Sequence, residues 1–387
     1  MPTDTLRFSA AMRLVGESEI AQVWKLGFEV PDVVGLWVGE GDLPTPDFIS
    51  DAAVKALRDG HTFYTHKSGI PELRAALRRY HARIYGVEPA IERITVTGSA
   101  MTGILMLMQA LLDPGDSVAV VTPVWPNIFA AVQIQGGIVR EVPLKVEGDR
   151  WRLDLEALFA ACDRTTKAIF IVSPGNPTGW IMTAEEQAAV VDFCRQRSIL
   201  YIADEVYHRF VYEGRGVAPS VLEVMRPDDP VSIVNTFSKS WAMTGWRLGW
   251  LISPPRLAET LDTLVEYNTS GSQPFLQHAC IVALEKGDGF IAEQVERCGR
   301  ARALLMQRFA AMPRIRLMRP DAAFYAFFGI EGVSDSLSHA KKLVREARVG
   351  LAPGTAFGKS GQGWFRLCYA GSIDRLQRGF DRLEAAL

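Results

Sequence analysis

The sequence predicts an α/β protein: a mainly parallel seven-stranded sheet sandwiched by helices, with a smaller α+β domain built from both chain ends. Three observations carry this. Seven short β-rich runs, at residues 94–97, 117–121, 137–142, 167–172, 199–203, 232–237 and 248–253, occupy the middle of the chain. Most are separated by stretches of helical periodicity, long enough for crossovers between parallel strands. Residues with strong chemistry fall at the ends of these runs or just after them, where ligands bind in open α/β sheets. At 387 residues the chain exceeds one typical domain. A large domain is expected over residues 45–285, and a small one combining 1–44 with 286–387. There is no internal repeat and no low-complexity linker.

Composition narrows the function classes. Apolar residues at 48% and charged residues at 22% are those of an ordinary globular chain. A net charge of −2 argues against general nucleic-acid binding. No run of about eighteen apolar residues predicts a membrane span. The opening stretch, MPTDTLRFSAAMRLVGESEI, lacks the apolar core of a signal peptide. Cys162, Cys194, Cys280, Cys298 and Cys368 are scattered and form no CxxC, so neither a zinc site nor a disulfide framework is expected. That usage fits a reducing, cytoplasmic location.

Along the chain, residues 36–38 read as a short strand running into GEGDLPTPDFI, an irregular loop. Residues 51–57 read as helical. After the break at Gly69-Ile70, Pro71 starts a helix with Glu72 in its first turn and a buried face of Leu73, Ala76, Leu77 and Tyr80. The run 94–97 ends in a tight turn, Gly98-Ser99-Ala100, that opens an apolar helix stopped by Asp113-Pro114-Gly115. A small-residue turn at a helix start offers free N–H groups and a positive dipole end to a phosphate. The run 117–121 leads into TPVWPN, whose Trp125 is either a core residue or a platform for a planar ring. The run 167–172 enters SPGNPTG, in which two prolines and two glycines fix a loop presenting Asn176. Thr183 and Glu186 form a capping box at the start of a helix over 183–197. The run 199–203 ends at Asp204-Glu205-Val206-Tyr207. A carboxylate there is costly unless it meets a cation, and a protonated pyridine nitrogen is one. Glu205 reads as structural.

The loop after 232–237 holds Lys239 between Ser238 and Ser240, among Trp, Met and Phe. Poor hydration lowers the pKa of such a lysine, and the neutral amine attacks aldehydes. Arg247, between Gly245 and Gly249, stays cationic and suits a phosphate. An amine beside a phosphate clamp is what pyridoxal phosphate requires. Beyond residue 253 come helices at 255–267, 276–284 and 291–310, then strands at 315–318 and within PDAAFYAFFGI, and a helix at 337–346. Arg366 follows, on a mostly apolar strand between Phe365 and Leu367. It needs an anion, either a carboxylate ligand or a structural ion-pair partner. The GKSGQG run lacks dinucleotide-site spacing and context.

The stretch 235–250, NTFSKSWAMTGWRLGW, resembles the lysine signature of the class I/II aminotransferases, pyridoxal-phosphate enzymes of fold type I. GEGDLPTPDF, the Tyr64 to Gly69 segment, SPGNPTG, DEVY, PDAAFY and APGTAFG resemble other segments of that family, in its order, from Gly39 to Arg366. Departures are Gly41 for a proline, Thr236 for a serine or glycine, and Ala322 for a glycine. The resemblance implies pyridoxal 5'-phosphate bound at Lys239, with Asp204 on its ring nitrogen, Asn176 and Tyr207 on its phenolic oxygen and Trp125 stacked on its ring. Gly98, Ser99, Ala100, Thr236, Ser238 and Arg247 then serve the phosphate, and Tyr64 reaches across a dimer interface to the partner's cofactor. Gly39 and Asn176 fall on the substrate side, and Arg366 holds the α-carboxylate.

The implied reaction moves an amino group from an L-amino acid to a 2-keto acid in two half-reactions, without a metal, in a homodimer. Other pyridoxal-phosphate chemistry, such as C–S lyase or cyclopropane-forming reactions, uses much the same residues. A cofactor-sensing regulator of DNA is disfavoured by the charge and by the forty or so residues before the first motif. The break 267–274 holds no arginine, where the animal and enteric aspartate enzymes carry one for the side-chain carboxylate. Trp24, Phe28 and Trp37 read as core packing rather than pocket lining.

Overall fold

The computed structural model describes residues 7–387; residues 1–6, the start of the segment expected to join the small domain, lie outside the described residues. In chain order the strands are β1 (Val34–Gly35), β2 (Ile94–Thr97), β3 (Ser117–Thr122), β4 (Ile138–Pro143), β5 (Lys145–Glu147), β6 (Arg150–Arg152), β7 (Thr166–Val172), β8 (Leu200–Asp204), β9 (Val231–Thr236), β10 (Gly249–Ile252), β11 (Ile315–Leu317), β12 (Tyr325–Ile330), β13 (Val349–Gly350), β14 (Ala352–Pro353) and β15 (Trp364–Cys368). The seven runs read from the sequence form one sheet, in the order β2-β10-β9-β8-β7-β3-β4. All neighbours are parallel except β10, which is antiparallel to both β2 and β9. The reason is local. The β9–β10 connection carries only a short 3-10 turn, Thr244–Trp246, too little chain for a crossover. Lys239 and Arg247 therefore share one loop at one end of the sheet.

The sheet is covered on both faces. In β7, Ile169 and Ile171 join one apolar cluster while Ala168, Phe170 and Val172 join the other, the two-residue alternation of a strand buried on both sides. Helices Ala100–Leu111 and Pro255–Asn268 cover one face through Ile104, Leu107, Leu261 and Val265. Helices Pro71–Tyr85, Ala184–Arg197 and Pro274–Lys286 contribute Leu77, Val190 and Ala279 to the other cluster. Thr183 and Glu186 make the reciprocal capping box expected of them.

A second sheet, β11-β12-β15-β14, is antiparallel throughout. The N-terminal chain reaches the same region: β1 pairs in parallel with β13, Val34 opposite Val349. The strand expected at 36–38 thus lies earlier. Leu36 still donates to Gly350 O at 2.7 Å and accepts from Cys368 N–H at 2.8 Å, but the chain then leaves the pairing and turns toward the ends of the large sheet. Gly27, Gly35 and Gly350 make room for the Trp37 ring. A Cβ on each would fall 2.5, 2.8 and 1.4 Å from its atoms, so no larger residue fits without displacing the indole.

Several elements differ from expectation. The helix read at 51–57 starts at Asp47, behind Pro46. The helix read at 337–346 is Ser336–Lys342, closing in a π-helical turn, Leu343–Ala347. The β5–β6 hairpin, turning at Gly148 with φ 62°, was not expected: three residues per strand are too few to show an alternation.

Candidate active site

A cavity of about 600 Å³ opens at the C-terminal ends of β7, β8 and β9, where Val172, Asp204 and Thr236 face it. Ala100 and Met101 from the adjoining helix start, the Trp37–Glu40 segment, Tyr325 from β12 and Arg366 from β15 complete much of its wall.

At one end lies an anion cradle. Ser99 caps the twelve-residue helix Ala100–Leu111, its hydroxyl accepting from Thr102 N–H at 3.0 Å. The N–H groups of Ala100 and Met101 find no partner among the described residues, as at any helix start. Gly98 and Ser99 form the turn, while Ala100 and Met101 line the cavity. Arg247 lines it too, with φ 55° and with Nη1 donating to Thr244 O at 2.6 Å. The loop is braced by Thr236, whose Oγ1 lies 3.0 Å from both Ser238 Oγ and Leu248 O and accepts from Ser238 N–H at 3.2 Å. Gly249 allows β10 to run against the helix start, since a Cβ there would sit 2.7 Å from Ala100 N.

In the middle stand three charged groups with no salt-bridge partner among the described residues. Asp204 is buried, and its carboxylate's one hydrogen bond among the described residues comes from Val206 N–H at 3.3 Å. Burial pushes its pKa up to about 7. Lys239 Nζ donates to Gly39 O at 2.8 Å. Burial lowers its pKa to about 8. Arg366, 3% exposed, lies between the rings of Tyr325 and Phe357, 4.8 and 4.9 Å from their centroids. Its Nη1 donates to Asn176 Oδ1 at 3.1 Å and its Nη2 to Trp37 O, while Nε has no partner. No carboxylate pairs with it among the described residues, which removes the structural ion pair as its purpose.

A hydrogen-bonded relay joins Arg366 to Lys239. Asn176 Nδ2 donates to Tyr207 Oη at 3.1 Å, Tyr207 Oη lies 2.9 Å from Tyr325 Oη, and Tyr325 Oη donates to Gly39 O at 3.2 Å. Burial raises the Tyr207 pKa, so its hydroxyl stays protonated. Trp125 is half-buried on the cavity wall. A Cβ at Gly39 would meet Tyr325 Oη at 2.4 Å, so the carbonyl that holds Lys239 depends on glycine.

Residues 31–383 match the family described as aminotransferase class I and II. The chain is 32% identical to an aspartate aminotransferase of Pyrococcus horikoshii over 97% of this chain and 95% of that one. It is 36% identical to a probable aspartate/prephenate aminotransferase of Aquifex aeolicus, over 92% and 91%. It superimposes on a mutant aspartate aminotransferase of Thermus thermophilus with a TM-score of 0.92 and 31% identity, covering 99% of this chain and 100% of that one. The chain belongs to the class I and II aminotransferases. It is an enzyme, a transaminase, from a family that generally depends on pyridoxal phosphate.

Of the residues singled out in the sequence of this aminotransferase, the cavity brings together Gly39, Ala100, Trp125, Asn176, Asp204, Tyr207, Thr236, Ser238, Lys239, Arg247 and Arg366. Tyr64 stands apart, 92% exposed. Two core assignments are corrected. Trp24 is 43% exposed and lines the cavity, and Phe28 is 73% exposed. The short helix Glu19–Glu29 buries only Val23 fully, so its outer rings are left at the rim. Trp37 is buried as expected, yet it also reaches the cavity and supplies a carbonyl to Arg366. Tyr325 was missed. Its signal was strand alternation: Phe327 lies opposite Arg366, so Tyr325, two residues away, shares that face.

Proposed function

We propose that this transaminase holds pyridoxal 5'-phosphate at Lys239 and transfers the amino group of an L-amino acid to a 2-keto acid in two half-reactions. The carrying observation is the convergence of Lys239, Asp204 and Arg366, none of them in a salt bridge among the described residues, on one cavity. The donor set fits the cofactor. Unpaired N–H groups of Ala100 and Met101, with Arg247, suit a phosphate. Asp204 suits a ring nitrogen that carries a proton, and Asn176 and Tyr207 suit a phenolic oxygen. Trp125 suits a ring face.

When bound, pyridoxal phosphate supplies the electron sink for charge left on the substrate's Cα. Arg366 orients the substrate by its α-carboxylate through a charge-assisted fork. Lys239 Nζ, kept partly neutral near pH 8, accepts the Cα proton and later returns one. Gly39 O holds that amine in place. Asp204, buried and short of hydrogen bonds, gains a partner when a cation meets it, which favours its ionised form.

The proposed assembly is a homodimer in which Tyr64 reaches the partner's site. Support comes from Tyr64, Phe63 and Tyr267, exposed aromatics at 92, 80 and 81%, on segments tied by the Lys67–Glu266 ion pair. The proposed division into a large domain of 45–285 and a small one of 1–44 and 286–387 rests on the β1–β13 pairing. A cytoplasmic location is proposed from five free cysteines. Among the described residues, no helix is long and apolar enough to cross a membrane.

Protein loaded with pyridoxal phosphate is expected to lose its visible absorption band with a single L-amino acid and to regain it with a 2-keto acid. Release of ammonia or sulfide without that cycle would instead assign a lyase.

A further inference from the structure

Three cations line the cavity among the described residues, and the proposed function uses all of them: Lys239 as the amine, Arg247 for the phosphate, Arg366 for the α-carboxylate. What remains of the wall is mostly apolar, chiefly Ile20, Trp24, Trp37 and Met101, with the neutral polar side chains of Ser18, Asn127 and Thr244 among them. Besides Asp204, which the proposed function assigns to the ring nitrogen, the wall carries one more carboxylate, Glu40, whose Oε2 accepts from Thr244 Oγ1 at 2.9 Å. A second carboxylate on the donor would find no fourth cation on this wall among the described residues. A carboxylate leaving water without a partner is strongly disfavoured. A large apolar side chain would instead meet the indoles of Trp24 and Trp37, Trp125 being assigned to the cofactor ring.

The segments through which a second copy is proposed to reach the site bring no unpaired lysine or arginine. The exposed segment 63–67 carries one lysine, Lys67, already paired with Glu266. The neighbouring stretch 267–274 holds neither lysine nor arginine. Trp24, at the rim, is braced by Phe28 edge-on at a centroid distance of 4.8 Å and has surface left to cover.

We infer that the donor of this transaminase carries a large apolar side chain, aromatic or branched aliphatic, and that dicarboxylic amino acids are poor donors. This rests on the proposed function, and it parts from the printed names of the aspartate-acting relatives. Trp24 and Met101 become specificity residues: they touch the side chain and leave the reacting atoms to Lys239.

Two measurements on the cofactor-loaded protein test it. Calorimetric titration with 3-phenylpropanoate and with succinate, which resemble the two donor classes but lack the amine, reads binding without turnover. The aromatic acid is expected to bind at least about tenfold tighter. Single-turnover bleaching with L-phenylalanine is expected to exceed that with L-aspartate by about thirtyfold in rate over affinity. Trp24→Ala should narrow the L-phenylalanine to L-alanine ratio by about tenfold. Tighter succinate binding together with faster bleaching by L-aspartate would overturn the inference and leave transamination standing. Bleaching by no amino acid would sink the reading of Lys239, and this inference with it.

Discussion

Replacing Lys239 with alanine is expected to lower turnover by about ten-thousand-fold or more, because in the proposed function one amine both receives the aldehyde and moves the Cα proton. Nothing nearby can substitute. Tyr207 and Tyr325 hold their protons under burial, and Asp204 lacks a route to act as a base on Cα if it is committed to the ring nitrogen. Lys239→Arg is expected to be as inactive, since guanidinium keeps its proton. That comparison separates a need for a neutral amine from a need for positive charge. A pH signature accompanies it. The usual lysine pKa of 10.5 is brought to about 8 here. The neutral fraction therefore grows as pH rises through 8, and reductive labelling of the cofactor-free protein by a small aldehyde should follow a midpoint near that value. A midpoint near 10.5 would mean that Lys239 is hydrated like a surface lysine.

Arg366→Leu is expected to lower kcat/KM for L-amino acids by about a hundred- to a thousandfold, the worth of a desolvated, charge-assisted contact. The visible band of the loaded protein should persist, since Arg366 serves the substrate. An amine without a carboxylate should lose far less. Arg366→Lys keeps the charge but lacks the planar fork, and a large part of the loss should remain. Equal losses for amines with and without a carboxylate would return Arg366 to a structural role, as the brace of Asn176 and Trp37.

The fold was legible because its strands are buried β-rich runs bounded by turns, and a capping box such as Thr183–Glu186 marks a helix start through chemistry alone. Lys239 and Arg247 were legible for a topological reason: a connection too short for a crossover keeps both on one loop. What stayed hidden depends on which way a residue faces. Tyr325 sits in an unbroken apolar strand, and only the β12–β15 register puts its ring beside Arg366. The Trp37 carbonyl that meets Arg366 is a backbone group, invisible to any side-chain pattern. Trp24 and Phe28 have the amphipathic spacing of a core helix, but Glu19–Glu29 packs on β13 and β14 with Val23 inward while Trp24 turns to the cavity, so burial stops short of its outer rings. Tyr64 belongs to a motif, yet a single chain leaves it exposed and gives its ring nothing to serve.

The most direct test of the central claim is borohydride reduction of the protein loaded with pyridoxal phosphate, followed by digestion and peptide mapping. The pyridoxyl group is expected on the peptide spanning Lys239, at one per chain, and to be displaced by prior addition of an amino acid donor. Attachment at another lysine, or no attachment under conditions where the folded protein has taken up the cofactor, would contradict the assignment on which the proposed chemistry rests.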